Sequence, residues 1–529
     1  MRPMPGLRRI ELTFTSAFAY PNPLQDAALG ATFTSPAGRT HRADGFWDGG
    51  LTWRVRFRPT EAGRWTYTTH CSDNTNEGLH GRAGAFDGVA AGTPGTRFQQ
   101  HGPVGLAENR RYFAYMDGTP FLWLGDTGWN GALRATDDEW THYARERARQ
   151  GFTGSQWVAT HWFVSPDGDR DGQRAFSGHE RFAVNPAFFQ RLDGRLEVLN
   201  QAGLLAAPAM LWASRWREPD VGAVNPGLSL PEEQAVLLAR YMLARWHAHD
   251  VMWILNGDGD YLGEKAERWR NIGRAVFGSG PHAPTTLHPR GMQLMLDEFR
   301  DEGWLDIIGY QSGHGDSEET LRWLTGGPPA TRWREEPPRP FINLEPPYEN
   351  HIAYHSRRPH SPLAVRRALY WSLLVAPVAG VTYGGHGVWG WDDGSGPPTA
   401  HPDTGTPLPW REALRMPAAE HMAHLAALFG SIEWWRLRPA PDLLARQPGE
   451  ADARRFCAAA CAEDNTLAVV YVPEDRRVEL RADRLAAYRR AQWHDPRTGE
   501  REAAHWPAAG PAGEFNTPGP GDWVLVLEA

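Results

Sequence analysis

This sequence predicts an α/β chain built on a (β/α)8 barrel with a β-sandwich at each end. Between residues 104 and 430, apolar runs of strand length alternate with capped amphipathic stretches until eight units are complete. Several of these runs stop on an acid, an imidazole or an indole, as barrel strands do when they deliver side chains to one face. Residues 1–92 and 431–529 show instead a period-two alternation broken by Gly, Pro, Asn and Asp clusters. A doubly wound open sheet is the structural competitor. It usually carries a Gly-rich phosphate turn, and no G-x-G-x-x-G follows the first strand.

Bulk properties narrow the class. The 529 residues are material for roughly three or four domains. The net charge of -8, without a long basic run, argues against nucleic acid as a partner. No stretch approaches the ~20 apolar residues of a membrane span, and the first residues lack the apolar segment of a secretory signal. A cytoplasmic location is therefore expected, although a mature secreted chain with its signal removed reads the same. Cys71, Cys457 and Cys461 cannot form a disulfide framework or a zinc site of ordinary spacing. The 25 tryptophans outnumber the 14 tyrosines and 21 phenylalanines. An indole offers a flat apolar face with an N–H at its edge, which suits sugar rings, although any one Trp more often fills a core.

The elements follow in order. Residues 51–58 alternate apolar and polar, 59–63 form a turn, and 64–69 return as the other arm of a hairpin. Trp47 reads as a core or turn aromatic, with a place on a neighbouring cleft as its functional alternative. Residues 93–103 read as a linker. Asp117-Gly118 makes a hairpin turn, and 121–125 is the first barrel strand, ending on Asp126. Thr136 caps a helix that Gly151 stops, and 152–159 is the second strand. Asn185-Pro186 opens a helix, Gly203 ends it, and 204–212 is the third strand. Ser229 and Glu232 are spaced as a capping box, and 251–256 is the fourth strand. Helices at 264–277, 292–300, 318–324 and 361–375 separate or precede strands at 284–288, 305–310, 341–345 and 380–384. A helix over 418–429 closes the barrel, and strands follow at 466–472, 478–480, 491–494 and 523–527.

Two stretches carry the chemistry. Val251-Met-Trp-Ile-Leu-Asn-Gly-Asp-Gly-Asp260 closes its strand in a flexible turn bearing Asp258 and Asp260. Pro340-Phe-Ile-Asn-Leu-Glu-Pro-Pro-Tyr-Glu349 ends its strand on Glu345, with prolines immediately after. Glycoside hydrolysis needs one carboxylic acid to protonate the leaving oxygen and a second carboxylate to attack or to activate water. A lone acid is more often a surface or capping group, but two that end buried strands form a pair. Asp258 and Glu345 are that pair, with Asp260 and Glu349 as rival assignments. Carboxylates accept from hydroxyls and indoles stack on ring faces. Asp126, His161, Trp212, Asn256, His314, Tyr348 and Trp389 are therefore the expected sugar-binding set, and Asp392 stands at another strand end. His351 and His355 have a spacing that on a helix could hold zinc, but the glutamate of a metalloprotease helix is missing between them. No catalytic metal or cofactor is expected. No G-x-S-x-G follows a strand, so a serine hydrolase is disfavoured.

These motifs resemble a known family. Tyr112-Phe, Asp117-Gly-Thr-Pro-Phe and Leu124-Gly-Asp-Thr-Gly-Trp129 are similar to the opening motif of the apiosidase-like glycoside hydrolases. Asn256-Gly-Asp258 and Glu345-Pro-Pro-Tyr-Glu349 are similar to its two catalytic stretches, and the likeness spans about residues 104–430. The first domain resembles the β-sandwich often placed before such barrels, and the last resembles a module named for collagen binding. The resemblance implies that Asp258 is the acid/base and Glu345 the nucleophile of a retaining clan A glycosidase. Most clan members carry Glu rather than Asp after strand four. The expected protein is a retaining glycoside hydrolase of plant- or microbial-type oligo- or polysaccharide, with furanosides such as apiosides among its candidate substrates. Its expected domains are 1–92, 104–430 and 431–529. The alternatives are a non-catalytic carbohydrate- or matrix-binding protein and a metal-dependent hydrolase.

Overall fold

A computed structural model describes residues 6–89, 95–214, 224–278, 280–398, 401–474, 476–507 and 512–529. Eight parallel strands form the central sheet: β1 (Trp123–Thr127), β2 (Gly154–Val158), β3 (Leu205–Trp212), β4 (Trp253–Gly257), β5 (Thr285–Thr286), β6 (Ile308–Gln311), β7 (Phe341–Glu345) and β8 (Gly380–Tyr383). Their order is β5-β4-β3-β2-β1-β8-β7-β6. The seam between β5 and β6 is closed by single bonds: the Thr285 carbonyl accepts from the N–H of Asp306 and Ile307 at 3.0 and 3.1 Å. Every residue of the eight strands is buried, because helices cover the outside and side chains fill the inside. Trp123 shows how tightly. Its indole donates to Thr382 Oγ1 at 2.9 Å, and a Cβ on Gly154 would lie 2.2 Å from its ring. Gly154 is therefore there to admit the indole.

Most expected caps form. Thr136 and Glu139 make a reciprocal capping box on helix Asp137–Arg149, and Asn185, Ser317 and Ser361 each cap a helix. The box expected at Ser229 does not form. Ser229 ends a short helix, Pro226–Ser229, and the next helix, Glu232–Trp246, begins after Pro231 without a side-chain cap. Pro231 holds Leu230 extended, so the two helical segments cannot merge. The helix expected at 292–300 is a series of turns. Met292 is left-handed at φ 58°, and its N–H donates to the Gln311 carbonyl at 2.8 Å, pinning the segment to β6. The expected linker contains a helix, Arg97–His101, that buries Phe98; residues 90–94 lie outside the described set.

The N-terminal strands corrected one pairing. Thr52–Phe57 and Gly63–Cys71 are not a hairpin: Thr52–Phe57 pairs with Ile10–Thr15 and Thr40–Trp47, whereas Gly63–Cys71 pairs with Leu29–Thr34 and Ala83–Gly88. The intervening turn crosses between layers, so Phe57 meets Trp65 ring to ring at 5.2 Å instead of side by side in a ladder. Trp47 ends strand Thr40–Trp47, and its indole donates to the Gly50 carbonyl in the turn that follows.

This sheet joins the barrel through buried charge. Arg245 on helix Glu232–Trp246 reaches Asp48 and Asp193 at 2.8 Å each, and Arg56 reaches Asp193 at 2.7 Å. Both guanidiniums lie over Phe46. Removing one partner of such a network strands the others in a medium that solvates them poorly. Asp193→Ala should therefore cost about 3–5 kcal/mol, seen as a lower urea midpoint; an unchanged midpoint would mean that the charge network contributes nothing to stability. At the other end, barrel helix Pro362–Leu374 carries Arg366 onto Asp522 at 2.6 Å and stacks Tyr370 on Tyr471 at 4.6 Å. Strands Leu437–Pro439, Ala458–Ala462, Leu467–Val472, Trp523–Glu528, Arg490–His494 and Arg501–Ala503 form the sheet that receives them.

Candidate active site

Loops after the barrel strands build one cavity of about 350 Å³ at the C-terminal end. Its floor holds Asp258 and Glu345, and its walls include the indoles of Trp129, Trp162, Trp212 and Trp389.

Glu345 ends β7 buried among donors. Its Oε1 lies 3.0 Å from His314 Nε2, and its Oε2 lies 3.4 Å from Trp129 Nε1 and 3.4 Å from His288 Nε2. His314 Nδ1 accepts the Tyr348 backbone N–H at 3.4 Å, so Nε2 carries the proton that faces Glu345. The Tyr348 hydroxyl in turn accepts from Trp129 Nε1 at 3.0 Å. Burial opposes ionisation of Glu345, but the His288 and His314 contacts outweigh it and hold the carboxyl far below the usual range.

Asp258 is driven the other way. Burial raises its pKa first, and the negative charge of Glu345 raises it further, against weaker opposition from Ser214, His288 and His314. Its backbone is left-handed, φ 53°, which bends the chain at the end of β4. The flanking glycines were expected to supply flexibility. The structure gives them another reason: a Cβ on Gly257 would lie 2.1 Å from the Trp212 ring, and one on Gly259 would lie 2.6 Å from Tyr261. They make room for aromatic walls, and Asp258 itself adopts the strained conformation.

A barrel whose fourth and seventh strands end on two neighbouring carboxylates invites comparison. Residues 107–436 match the family model described as "Apiosidase-like, catalytic domain". The chain belongs to the apiosidase-like family. Before this apiosidase-like domain, residues 6–72 match "Domain of unknown function (DUF5060)", and after it 439–528 match "Putative collagen-binding domain of a collagenase". Among solved structures, one described as "Glycoside hydrolase" is 22% identical, with a TM-score of 0.69 over 82% of this chain and 98% of that one. A glycoside hydrolase family 5 structure from Bacteroides vulgatus ATCC 8482 is 19% identical, with a TM-score of 0.67 over 82% and 94%. At these identities the likeness is one of fold. A search of curated proteins finds no match.

Within the apiosidase-like barrel, Trp212, His314, Tyr348 and Trp389 of the expected sugar-binding set line the cavity. Three expected binding residues do not. Asp126 is fully buried behind the wall, with Arg147 Nε at 2.8 Å and the Tyr143 hydroxyl donating at 2.7 Å. His161 packs on Phe176 at 4.6 Å, and its Nδ1 accepts the Ala175 N–H. Asn256 is fully buried below Asp258, its carbonyl accepting the His288 N–H. Asp126 and Asn256 are the penultimate residues of β1 and β4 and His161 lies three residues beyond β2; all three are buried off the cavity lining. Asp392 also lies off the cavity, its carboxyl pushed up to about 7 by burial and by Asp393.

The rival acids separate cleanly. Glu349 is buried away from the cavity, accepting from the Tyr383 hydroxyl at 2.7 Å and the Ala418 N–H at 3.0 Å, where it meets the start of helix Pro417–Gly430. Asp260 stands on the cavity rim but is held by Lys265 at 2.5 Å, with Arg290 at 3.5 Å. His351 and His355 do not share a helix; His351 stacks on His314 at 4.3 Å while His355 is exposed. Among the described residues no group of three or more His, Cys, Asp or Glu is placed to hold a metal ion.

Residues passed over by the sequence reading also stand at this cavity or behind its wall. His288 ends the β5 segment just as the chosen acids end theirs, and the same rule would have selected it. Trp129, two residues beyond β1, carried a signal only as part of the opening motif. Tyr354 and Trp162 lie in long loops and had no signal at all.

Proposed function

We propose that this chain is a retaining glycoside hydrolase acting on the O-glycosidic bonds of plant- or microbial-type oligo- or polysaccharide. Glu345 is the nucleophile and Asp258 the acid/base, and furanosides of the apioside type lead the substrate candidates on the strength of the family. One observation carries the reading: two carboxylates line a single aromatic cavity with their proton affinities driven apart. Glu345 is ready to attack as an anion while Asp258 keeps its proton for the leaving oxygen. Once Glu345 is esterified its charge is gone, so Asp258 loses one of the influences that raise its pKa. It then becomes able to take a proton from water. A binding protein gains nothing from this polarisation.

The test is a panel of aryl glycosides, furanosides included, with kcat/KM measured against pH. The expected profile is a bell. Activity falls on the acid side as Glu345 takes a proton, and the depressed pKa of Glu345 places that limb below its ordinary ~4.3. It falls on the alkaline side as Asp258 loses its proton, and the raised pKa of Asp258 places that limb above its ordinary ~3.9. A flat profile between about pH 4 and 9, or no turnover anywhere on the panel, would count against the assignment.

A further inference from the structure

We infer that His288 is a positioning residue for Glu345, holding the second carboxylate oxygen in place while His314 holds the first; this rests on the proposed role of Glu345 as nucleophile. His288 cannot serve the substrate directly. It is fully buried and is not part of the cavity lining. Its backbone N–H donates to the Asn256 carbonyl at 3.0 Å, tying the end of β5 to the end of β4. Its ring is wedged edge-to-face against Trp129 at 5.2 Å and tilted over Trp212 at 6.3 Å. The two ring nitrogens face different surroundings. Among the described residues neither nitrogen makes an aligned hydrogen bond, but Nε2 alone faces a carboxylate, 3.4 Å from Glu345 Oε2. That approach is within charge-pairing distance but not aligned as a hydrogen bond; catalytic contacts of this kind tighten when a substrate closes the site.

The two histidines therefore differ in kind. His314 lines the cavity and is oriented by a bond to the Tyr348 backbone. His288 lies behind the wall, its ring packed against the indoles of Trp129 and Trp212. A carboxylate gripped at both oxygens cannot rotate away from the sugar carbon it attacks. It also stays ionised in a pocket that otherwise favours the neutral acid.

The test compares wild type with His288→Gln, whose terminal amide nitrogen sits where Nε2 was. His288→Phe and His288→Asn keep no donor at that reach. Full-length protein is labelled with 13C at the glutamate carboxyls, and the Glu345 signal is assigned by its loss in Glu345→Gln. The wild-type signal should stay that of a carboxylate from pH 4 upward, with His288→Gln close to it. In His288→Phe the midpoint should rise into the measurable range. His288→Asn serves the same purpose should the Phe variant fail to fold. On an aryl glycoside the acid limb of kcat/KM should move up with that midpoint. kcat should fall about 10- to 100-fold, as a misplaced reacting group costs, while KM stays within about twofold. Wild-type titration in both donor-free variants, or a raised KM at unchanged kcat, overturns the inference. Full activity in Glu345→Ala would instead overturn the nucleophile reading, and the carboxyl titration would still report on His288.

Discussion

Glu345→Ala is expected to abolish turnover on every glycoside tested, because Asp258 is held protonated for the leaving oxygen and the other acids described near the cavity are engaged elsewhere. Asp260 is engaged with Lys265 and Arg290, and Glu349 does not reach the cavity. Asp258→Ala should behave differently. A good aryl leaving group needs little protonation, so the first step survives and hydrolysis of the intermediate slows. Azide then attacks in place of activated water, restoring turnover and giving a glycosyl azide of the same anomeric configuration as the substrate. With Glu345→Ala, any azide product has the opposite configuration. The loss expected from removing either residue of such a pair is large, about 10⁴-fold or more for the unit acting together. An inverted azide from Asp258→Ala, or these phenotypes appearing in Asp260→Ala or Glu349→Ala, would sink the assignment of roles while leaving the barrel intact.

Asp126→Ala should unfold the protein more readily without weakening its hold on substrate. The carboxylate is fully buried against Arg147, itself fully buried and lying over Phe152 at 4.9 Å. The Arg147 Nε contact at 2.8 Å is poorly aligned as a hydrogen bond, so charge pairing dominates it. Deleting Asp126 leaves a guanidinium without its counter-charge in a dry interior, at a cost of about 3–5 kcal/mol. The double variant Asp126→Ala with Arg147→Met should recover much of that loss, since an apolar pair needs no compensation. KM of whatever remains folded should match wild type. A tenfold rise in KM at unchanged stability would return Asp126 to the binding site.

That contrast between Asp126 and Glu345 shows where the sequence was legible. Both end barrel strands, and both were chosen for that reason. The rule "acid at a strand end" identifies the correct end of the barrel but not which way a side chain points. Successive residues of a strand alternate between the inside and the outside of the sheet, so a shift of one position separates a cavity residue from a core one. Asp258 stands one residue beyond β4 with a left-handed backbone, and no periodicity announces that. Asn256 turns away from the cavity within its strand as Asp126 does, whereas His161 lies three residues beyond β2 in a loop that packs it on Phe176. His288 was missed although it satisfied the rule, because β5 is two residues long and its apolar run is weak.

Apolar runs, caps and turn residues are local, so the eight-unit barrel, most helix starts and the turn at Asp117-Gly118 could be read in one dimension. Binary patterning and backbone preference act over a few residues and are written where they act. The partner of a strand and the environment of a carboxyl are not local. The sandwich crossing between Thr52–Phe57 and Gly63–Cys71 was settled by aromatic rings meeting across layers. The proton affinities of Asp258 and Glu345 were settled by burial and by charges brought from other strands. Those are properties of distances between residues far apart in the chain, and only tertiary packing sets them.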